Sequence, residues 1–146
     1  MKVRKEHYVI AELERLVPEL FAFRSVWDCP VPGGCSLKRP DKLYVMNDRY
    51  IQIEVDEHGH RDYACFEEDA RLEIIAADVG MPGVVVRIDP DSPPCFRRKR
   101  LSNGEYVEQC ITESFTTLLD RAARATRDAM IGPVPSGVER VFVDAQ

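Results

Sequence analysis

The sequence predicts an α/β fold in which helices pack on a mixed β-sheet. Two observations lead to this prediction. Some segments have apolar residues at helical spacing. Between them lie short segments that are either alternately apolar and polar or continuously apolar. The 146 residues are also 45% hydrophobic and 31% charged, which suits one compact globular domain with its own core. We therefore expect residues 1–146 to form a single domain.

The first part of the chain predicts a helix, a strand and a loop. Residues 5–17 place apolar side chains on one helical stripe, and Pro18 closes the run. Residues 21–27, "FAFRSVW", are rich in aromatic side chains and alternate, which is typical of a strand. Residues 28–40, "DCPVPGGCSLKRP", contain prolines, paired glycines and a serine, which predict a loop.

An antiparallel hairpin and a second helix are predicted next. "KLYVMN" and "YIQIEVD" are alternating segments that flank "NDR", so we expect paired strands at about 42–47 and 50–56. Over residues 63–79 the apolar spacing becomes helical, and "GMPG" ends the helix.

The last part predicts two strands and a long helix. Residues 84–90, "VVVRIDP", are mostly apolar, as expected of a strand buried in a mixed sheet. Residues 92–106 predict an exposed basic loop or a hairpin that turns at "SNGE". Residues 107–130 have the spacing of an amphipathic helix, and residues 138–144, "VERVFVD", predict a final strand. The predicted order is α, β, β, β, α, β, α, β.

The charge distribution limits the classes of function that the chain can have. The net charge of −5 argues against a protein that coats nucleic acid nonspecifically, but metal-binding acids count toward this total and a nuclease stays possible. No apolar run approaches the roughly 20 residues that cross a bilayer, and the start lacks the apolar stretch of a secretory signal. We therefore expect an intracellular protein without a membrane partner. The basic residues cluster at 37–40, at 96–100, and at Arg121, Arg124 and Arg127.

Five scattered cysteines without a CxxC pair predict neither a disulfide framework nor a tetrahedral zinc site. The favoured interpretation is reduced thiols packed as small hydrophobic side chains. A metal shared by Cys29, Cys35 and Cys65 is the alternative. The other two cysteines are Cys95 and Cys110.

Three carboxylates are expected to converge on the predicted hairpin. Glu54 and Asp56 point to the same face of their strand because side chains alternate along it. The antiparallel turn brings Asp41 opposite the end that carries these two acids. Such close carboxylates cannot all stay ionised at neutral pH without a cation, and oxygen ligands on a sheet edge suit Mg²⁺. The spacing predicts a magnesium site, with a turn cap and a solvated acidic face as the alternative.

Two histidines and an acidic helix start follow these acids. His58 and His60 lie in a turn in which Gly59 permits tight geometry. His60 is the better candidate for a general base, while His58 is either structural or in contact with the leaving group. Glu68 either interacts with the helix dipole or orients His60 or a water on the metal. Arg71 either pairs with acids one turn earlier or holds the scissile phosphate or the acid cluster.

Several spaced motifs agree, in order, with a known family. They are "GGCSLKRPD", "IEVDEHGH", Tyr63, Glu68, Arg71, "VVRIDPD" and the terminal "VERVFVD". Over about residues 5–144 the chain resembles Vsr-like (very-short-patch-repair-type) endonucleases of the PD-(D/E)xK, restriction-endonuclease-like superfamily. The likeness is to Vsr-like proteins of large DNA viruses and algae in particular.

The resemblance implies a restriction-endonuclease-like fold of αβββαβ order and a metal-dependent endonuclease that hydrolyses DNA. It implies Asp41 as the central ligand of Mg²⁺ or Mn²⁺, with Asp56 contributing from the neighbouring strand and Glu54 helping. His60 matches the family's catalytic histidine, and Glu6 is the best match to a first-helix acid that steadies a metal-bound water. Asp56 stands where the wider superfamily has a lysine, which fits the Vsr-like branch. No Vsr-type zinc cluster is visible in the sequence.

DNA is the expected partner, because basic residues near the motifs can contact its phosphates. A homodimer would allow double-strand cleavage and a monomer would favour nicking, and homing, repair or junction-resolving roles all fit. The alternatives are a catalytically inactive DNA-binding or assembly module, or a hydrolase of RNA, branched DNA or small phosphoesters. The candidate phosphate-binding residues are Lys38, Arg39, Arg97, Arg98, Lys99 and Arg100.

Overall fold

The computed structural model describes residues 5–56 and 65–146, and for residues 65–68 the backbone alone. These segments form three α-helices, a five-stranded sheet and a two-stranded sheet, which confirms the predicted α/β class with a mixed sheet. The elements are α1 (Lys5–Leu16), a 3₁₀ turn (Pro18–Ala22), β1 (Arg24–Trp27), β2 (Lys42–Val45), β3 (Tyr50–Val55), α2 (Cys65–Val79), β4 (Gly83–Ile88), β5 (Phe96–Arg100), β6 (Tyr106–Cys110), α3 (Thr112–Ile131) and β7 (Val138–Val143).

The large sheet has the strand order β1-β2-β3-β4-β7. β1, β2 and β3 are antiparallel neighbours, whereas β3, β4 and β7 run parallel. Parallel neighbours need a crossover connection, and α2 lies between β3 and β4 in the chain while α3 lies between β4 and β7. The predicted hairpin is confirmed, with Lys42 opposite Ile53 and Val45 opposite Tyr50.

Apolar clusters cover both faces of the sheet, and all six residues of β3 are buried. On one face Leu13 of α1 and Leu118 of α3 pack in the cluster that contains Ile53. On the other face Ile75 of α2 packs in the cluster that contains Tyr50. Because neighbouring β3 residues face opposite sides, Tyr50, and by the same alternation Glu54, lie on the α2 side.

The strand predicted over 21–27 is shorter than expected. β1 begins only at Arg24, because the chain continues beyond α1 into the 3₁₀ turn that starts at Pro18. Proline suits the first position of a helical turn, where its missing N–H has no partner to lose.

The helix predicted over 107–130 is wrong at its start, since α3 begins at Thr112. The preceding residues form β6, which pairs with β5 in the hairpin that "SNGE" indicates, with Arg98 opposite Glu108. None of the helices in the described segments is long and apolar enough to cross a membrane.

The cysteine side chains that the structure describes are free thiols. Cys95 is buried, and its burial raises the pKa of its thiol to about 11, so it stays protonated at neutral pH. Cys95 agrees with the predicted packing of reduced thiols, whereas Cys29 and Cys35 are exposed and do not pack in the core. The alternative of a shared metal includes Cys65, whose side chain lies outside the described residues.

Candidate metal and nucleic-acid site

Asp41 and Glu54 meet where β2 begins and β3 ends. The backbone N–H of Asp41 donates to Glu54 Oε2 at 2.8 Å, and the backbone N–H of Val55 donates to Asp41 Oδ2 at 2.9 Å. Each carboxylate is therefore tied to the backbone of the other strand. Glu54 is only 4% exposed. The antiparallel pairing brings these two acids together as the alternation of side chains predicts, and their role as metal ligands stays a prediction.

Arg71 of α2 supplies a positive charge to this acid pair. Its guanidinium donates to Glu54 Oε1 and to the backbone carbonyl of Arg39, just before Asp41. One side chain thus joins α2, β3 and the end of the loop before β2. Among the roles predicted for Arg71, these contacts favour the one in which it holds the acid cluster.

The surroundings of the acid pair disfavour the ionised form of Asp41. The pKa of Asp41 rises from 3.8 to about 8, first because of burial and then because of the negative charge of Glu54. The N–H of Val55 and the charge of Arg71 oppose this rise, and the charge of Glu6 adds to it. A divalent cation would relieve this repulsion and favour the ionised carboxylate.

Glu6 lies in the first turn of α1, close enough to the acid pair to raise the pKa of Asp41. The role of Glu6 as the first-helix acid that steadies a metal-bound water stays a prediction. The adjacent His7 has its Nε2 3.4 Å from Glu6 Oε1. The edge of its imidazole ring packs against Trp27, with the ring centroids 4.6 Å apart.

Asp56 is engaged by a different partner. Both of its carboxylate oxygens accept hydrogen bonds from the guanidinium of Arg87, each at 2.9 Å. Arg87 comes from β4, where it lies opposite Glu54 in the parallel register. Asp56 is thus occupied by an arginine from a neighbouring strand, whereas Asp41 and Glu54 are linked to each other's strands through backbone N–H groups.

Three predicted catalytic residues cannot be placed with respect to this pair. His58 and His60 lie outside the described residues, as does the side chain of Glu68. The backbone of Glu68 lies in the first turn of α2, as predicted. The roles given to these three residues stay predictions.

The loop that delivers Asp41 is anchored to the end of α2. Oδ1 of Asp78 accepts the backbone N–H groups of Cys35, at 3.0 Å, and Ser36, at 3.3 Å, while the Ser36 hydroxyl donates to Oδ2. A Cβ at Gly34 would lie 2.7 Å from Cβ of Asp78. The "GGCS" motif is thus explained by a close approach of loop backbone to an acidic side chain.

The cations predicted to bind phosphate are exposed in both of their segments, the loop before β2 and strand β5. Within the described part of the chain none of them forms an ion pair. Arg71 and Arg87, in contrast, are matched by Glu54 and Asp56. The exposed cations therefore have charge available for an anionic partner.

The basic hairpin of β5 and β6 lies beside the N-terminal end of α1. Lys5 Nζ is 4.0 Å from Glu108 of β6, and the ring of Tyr8 packs against Phe96 of β5 at a centroid distance of 6.0 Å. Because Glu6 stands between Lys5 and Tyr8 in the first turns of α1, the hairpin and the acid pair border the same end of this helix.

Sequence reasoning missed four residues around the acids, namely His7, Trp27, Lys42 and Arg87. Lys42 directly follows Asp41, and its Nζ lies 5.6 Å from the ring centroid of Trp27. For Trp27 the sequence did contain a signal, because this residue directly precedes the loop that leads to Asp41. The pairing of Arg87 with Asp56 had no local signal, because it depends on the parallel register of β3 and β4.

The acid pair can supply part of the ligand set of a small, hard cation. Among the described residues no three His, Cys, Asp or Glu side chains gather closely enough to hold a metal ion. Asp41 and Glu54 supply oxygen donors only, and Mg²⁺ commonly binds through one or two carboxylates together with water and substrate phosphate. The observation that supports a cation here is the close approach of the two carboxylates, and the raised pKa of Asp41 is consistent with it.

Comparison of the chain with protein-family models, with curated proteins and with solved structures gives no match. The resemblance to Vsr-like endonucleases therefore depends on the motifs quoted above. The geometry defines a candidate site with the buried Glu54, the partly buried Asp41, the paired guanidinium of Arg71 and exposed cations in the adjoining loop.

Replacing Arg71 by methionine is expected to destabilise the protein without added metal by about 2 kcal/mol, because it leaves Glu54 buried without its cation. The expected loss is less than that of a fully buried pair, since the Arg71 side chain is 25% exposed. Urea unfolding measures the change. Arg124→Met, at an exposed position on α3, is the matched control, and an equal loss in both variants would contradict the assigned role of Arg71.

Proposed function

We propose that the protein is a metal-dependent DNA endonuclease with a restriction-endonuclease-like arrangement of its mixed sheet. The observation that carries the proposal is the pair Asp41 and Glu54, locked by reciprocal hydrogen bonds to the backbone. Two carboxylates this close repel each other unless a positive charge lies near both, and a bound cation supplies such a charge. The motif resemblance points to Asp41 as well, although it gives Asp56 rather than Glu54 as the second main ligand.

Asp41 and Glu54 are the residues that would hold Mg²⁺. When bound there, the ion supplies positive charge to the scissile phosphate and lowers the pKa of the attacking water. Arg71 keeps Glu54 oriented, and it ties the loop end at Arg39 to the same frame. His60 is proposed to accept the proton of the attacking water, or to return one to the leaving oxygen.

The exposed cations of the loop and of the hairpin would bind the phosphates on either side of the cut. Such contacts position the polymer and carry little sequence information. Lys38 and Arg39 lie next to Asp41 in the chain, so they would contact the phosphates nearest to the reaction. The cations of the β5–β6 hairpin lie on the other side of the N-terminal end of α1. They would extend the contact along the nucleic-acid strand.

A plasmid-nicking assay with Mg²⁺ or Mn²⁺ tests the activity. The wild-type protein is expected to convert supercoiled DNA to nicked or linear DNA, and His60→Ala is expected to be much slower. Asp120→Asn, at an exposed position on α3, is the control for the loss of one acid. A wild-type protein that is inert on duplex, single-stranded and branched DNA would contradict the nuclease proposal.

A catalytically inactive nucleic-acid-binding module is the second candidate. The ion pairs of Arg71 with Glu54 and of Arg87 with Asp56 support this candidate, because they give Glu54 and Asp56 a structural role. Binding to labelled DNA without any cleavage, and without a dependence on divalent metal, would favour this candidate over the enzyme.

The double variant Arg97→Ala/Lys99→Ala is expected to weaken DNA binding and to reduce its salt dependence. Each phosphate contact contributes a slope of about 0.9 in log Kd against log salt, so removing two contacts should lower the slope by about 2. Arg24→Ala/Arg124→Ala removes the same charge at other exposed positions and is the control. Equal slopes in the two double variants would show that the hairpin does not bind phosphate.

A further inference from the structure

We propose that Trp27 stacks on an unpaired nucleobase of the substrate, so that the preferred nucleic acid has unpaired nucleotides at or beside the cut. This inference rests on the proposed function for the class of substrate. It adds which nucleic-acid structure the site prefers and which residue recognises that structure.

Trp27 is the last residue of β1 and lies at the same end of the sheet as the acids. It is paired with Lys42 of β2, the residue that directly follows Asp41. The next residue, Asp28, donates its backbone N–H to the carbonyl of Pro40 at 3.1 Å, which holds the chain after Trp27 against the chain before Asp41. The indole therefore lies at the end of the sheet that carries the acids, on the face covered by α1, whereas Glu54 lies on the face covered by α2.

The indole contacts two neighbouring side chains and keeps part of its surface accessible. Its side chain is 48% exposed, although a tryptophan normally buries a large apolar area. His7 packs edge-on against it with an interplanar angle of 75°, and Lys42 Nζ lies 5.6 Å from its centroid. These contacts orient the ring without burying it. Lys42 is itself paired with Glu14 at 3.9 Å, and the exposed cations at this end of the sheet include Lys38 and Arg39.

A large exposed aromatic ring next to cations is the usual platform for unpaired bases. Every base has a π-face, so stacking tolerates any sequence, and the neighbouring cations track the backbone. In the interior of a duplex both faces of each base are covered by its neighbours, so an indole at the end of a β-strand can reach a base face only where stacking is interrupted. The blunt duplex used for comparison is therefore a long one, in which end bases are rare. The loop before Asp41 adds Leu37, which is 84% exposed, next to Lys38 and Arg39.

The inference is directly measurable because the chain contains one tryptophan. Without divalent metal, so that no cleavage occurs, a short oligothymidylate and a duplex with a thymidine gap are expected to change the Trp27 emission. A blunt duplex is expected to bind without doing so. In parallel, fluorescence anisotropy of the labelled oligothymidylate is expected to show a Kd on the order of tenfold higher for Trp27→Ala.

Two variants separate stacking from folding. Trp27→Phe keeps an aromatic ring and is expected to bind the oligothymidylate more tightly than Trp27→Ala, while thermal unfolding reports whether either variant is destabilised. Phe21→Ala removes another exposed aromatic side chain, in the 3₁₀ turn, and is expected to bind like the wild type.

The inference would be overturned if the oligothymidylate bound without changing the Trp27 emission, if Trp27→Ala bound it as tightly as the wild type, or if no probe bound. An equal emission change with the blunt duplex would overturn it as well. The binding result is independent of the nicking assay. Stacking without cleavage would therefore count against the proposed enzyme alone, and cleavage without stacking against this inference alone.

Discussion

Replacing Asp41 by asparagine is expected to abolish metal-dependent cleavage while stabilising the protein measured without metal. Activity should fall by at least about a thousandfold, because a catalytic metal is worth several kcal/mol in the transition state and each ~1.4 kcal/mol is tenfold in rate. Stability should rise because the substitution removes a carboxyl that Glu54 and burial hold in an unfavourable state. The amide oxygen of asparagine can still accept the N–H of Val55.

The stability gain should depend on pH in a defined direction. The pKa of Asp41 is about 8 in the folded protein and has its ordinary value of 3.8 in the unfolded chain. Between these values the folded state binds more protons than the unfolded state, so the free energy of unfolding falls as pH rises from about 4 to about 8. Asp41→Asn lacks this contribution, so its advantage over the wild type should grow across that range.

Urea unfolding at a series of pH values, with and without Mg²⁺, measures both effects, and the nicking assay gives the activity. Mg²⁺ is expected to stabilise the wild type and not Asp41→Asn, because only the wild type has the full acid pair. Asp120→Asn controls for the loss of one negative charge. A loss of stability in Asp41→Asn at pH 8, together with full nicking activity, would contradict the assigned role.

Gly83→Ala is expected to destabilise the protein by about 3 kcal/mol or more, since inserting a methyl group into a packed core forces side chains or backbone to move. Gly83 begins β4, and a Cβ there would lie 2.4 Å from two carbons of the Tyr50 ring. Tyr50 is fully buried and cannot swing into solvent without leaving the core. The substitution would also disturb the β3–β4 register that places Arg87 opposite Glu54.

Thermal or urea unfolding tests this expectation with two controls. Gly137→Ala should be within about 0.5 kcal/mol of the wild type, because a Cβ there meets nothing within 4 Å and the position is exposed. Adding Tyr50→Leu to Gly83→Ala should cost less than the sum of the two single changes, because the smaller side chain removes the overlap. Additive losses would show that the ring does not cause the effect.

Local patterns were sufficient for much of the acid site. The alternation in residues 50–56 and the short turn before it predict both the antiparallel hairpin and the meeting of Asp41 with Glu54. Side-chain direction in a strand and the register of a short hairpin are set by residues close in the chain. No long-range contact has to be known to infer them.

The partners of these acids could not be inferred in the same way. Asp56 meets Arg87 only because β3 and β4 run parallel in a particular register, and Arg71 reaches Glu54 only because α2 packs on that face. The helical spacing at the start of residues 107–130 likewise loses to the pairing of β6 with β5. Contacts between distant segments decide these cases, and they override local propensity.

By itself the sequence determined the α/β class, the order of most elements and the hairpin that joins Asp41 to Glu54. Tertiary structure alone decided that Asp56 is paired with Arg87, that Arg71 holds Glu54, and that Trp27 is exposed at the same end of the sheet as the acids. The physical reason is that side-chain alternation and turns act over a few residues. The charge balance and exposure of a site depend instead on which distant strands and helices come to lie next to it.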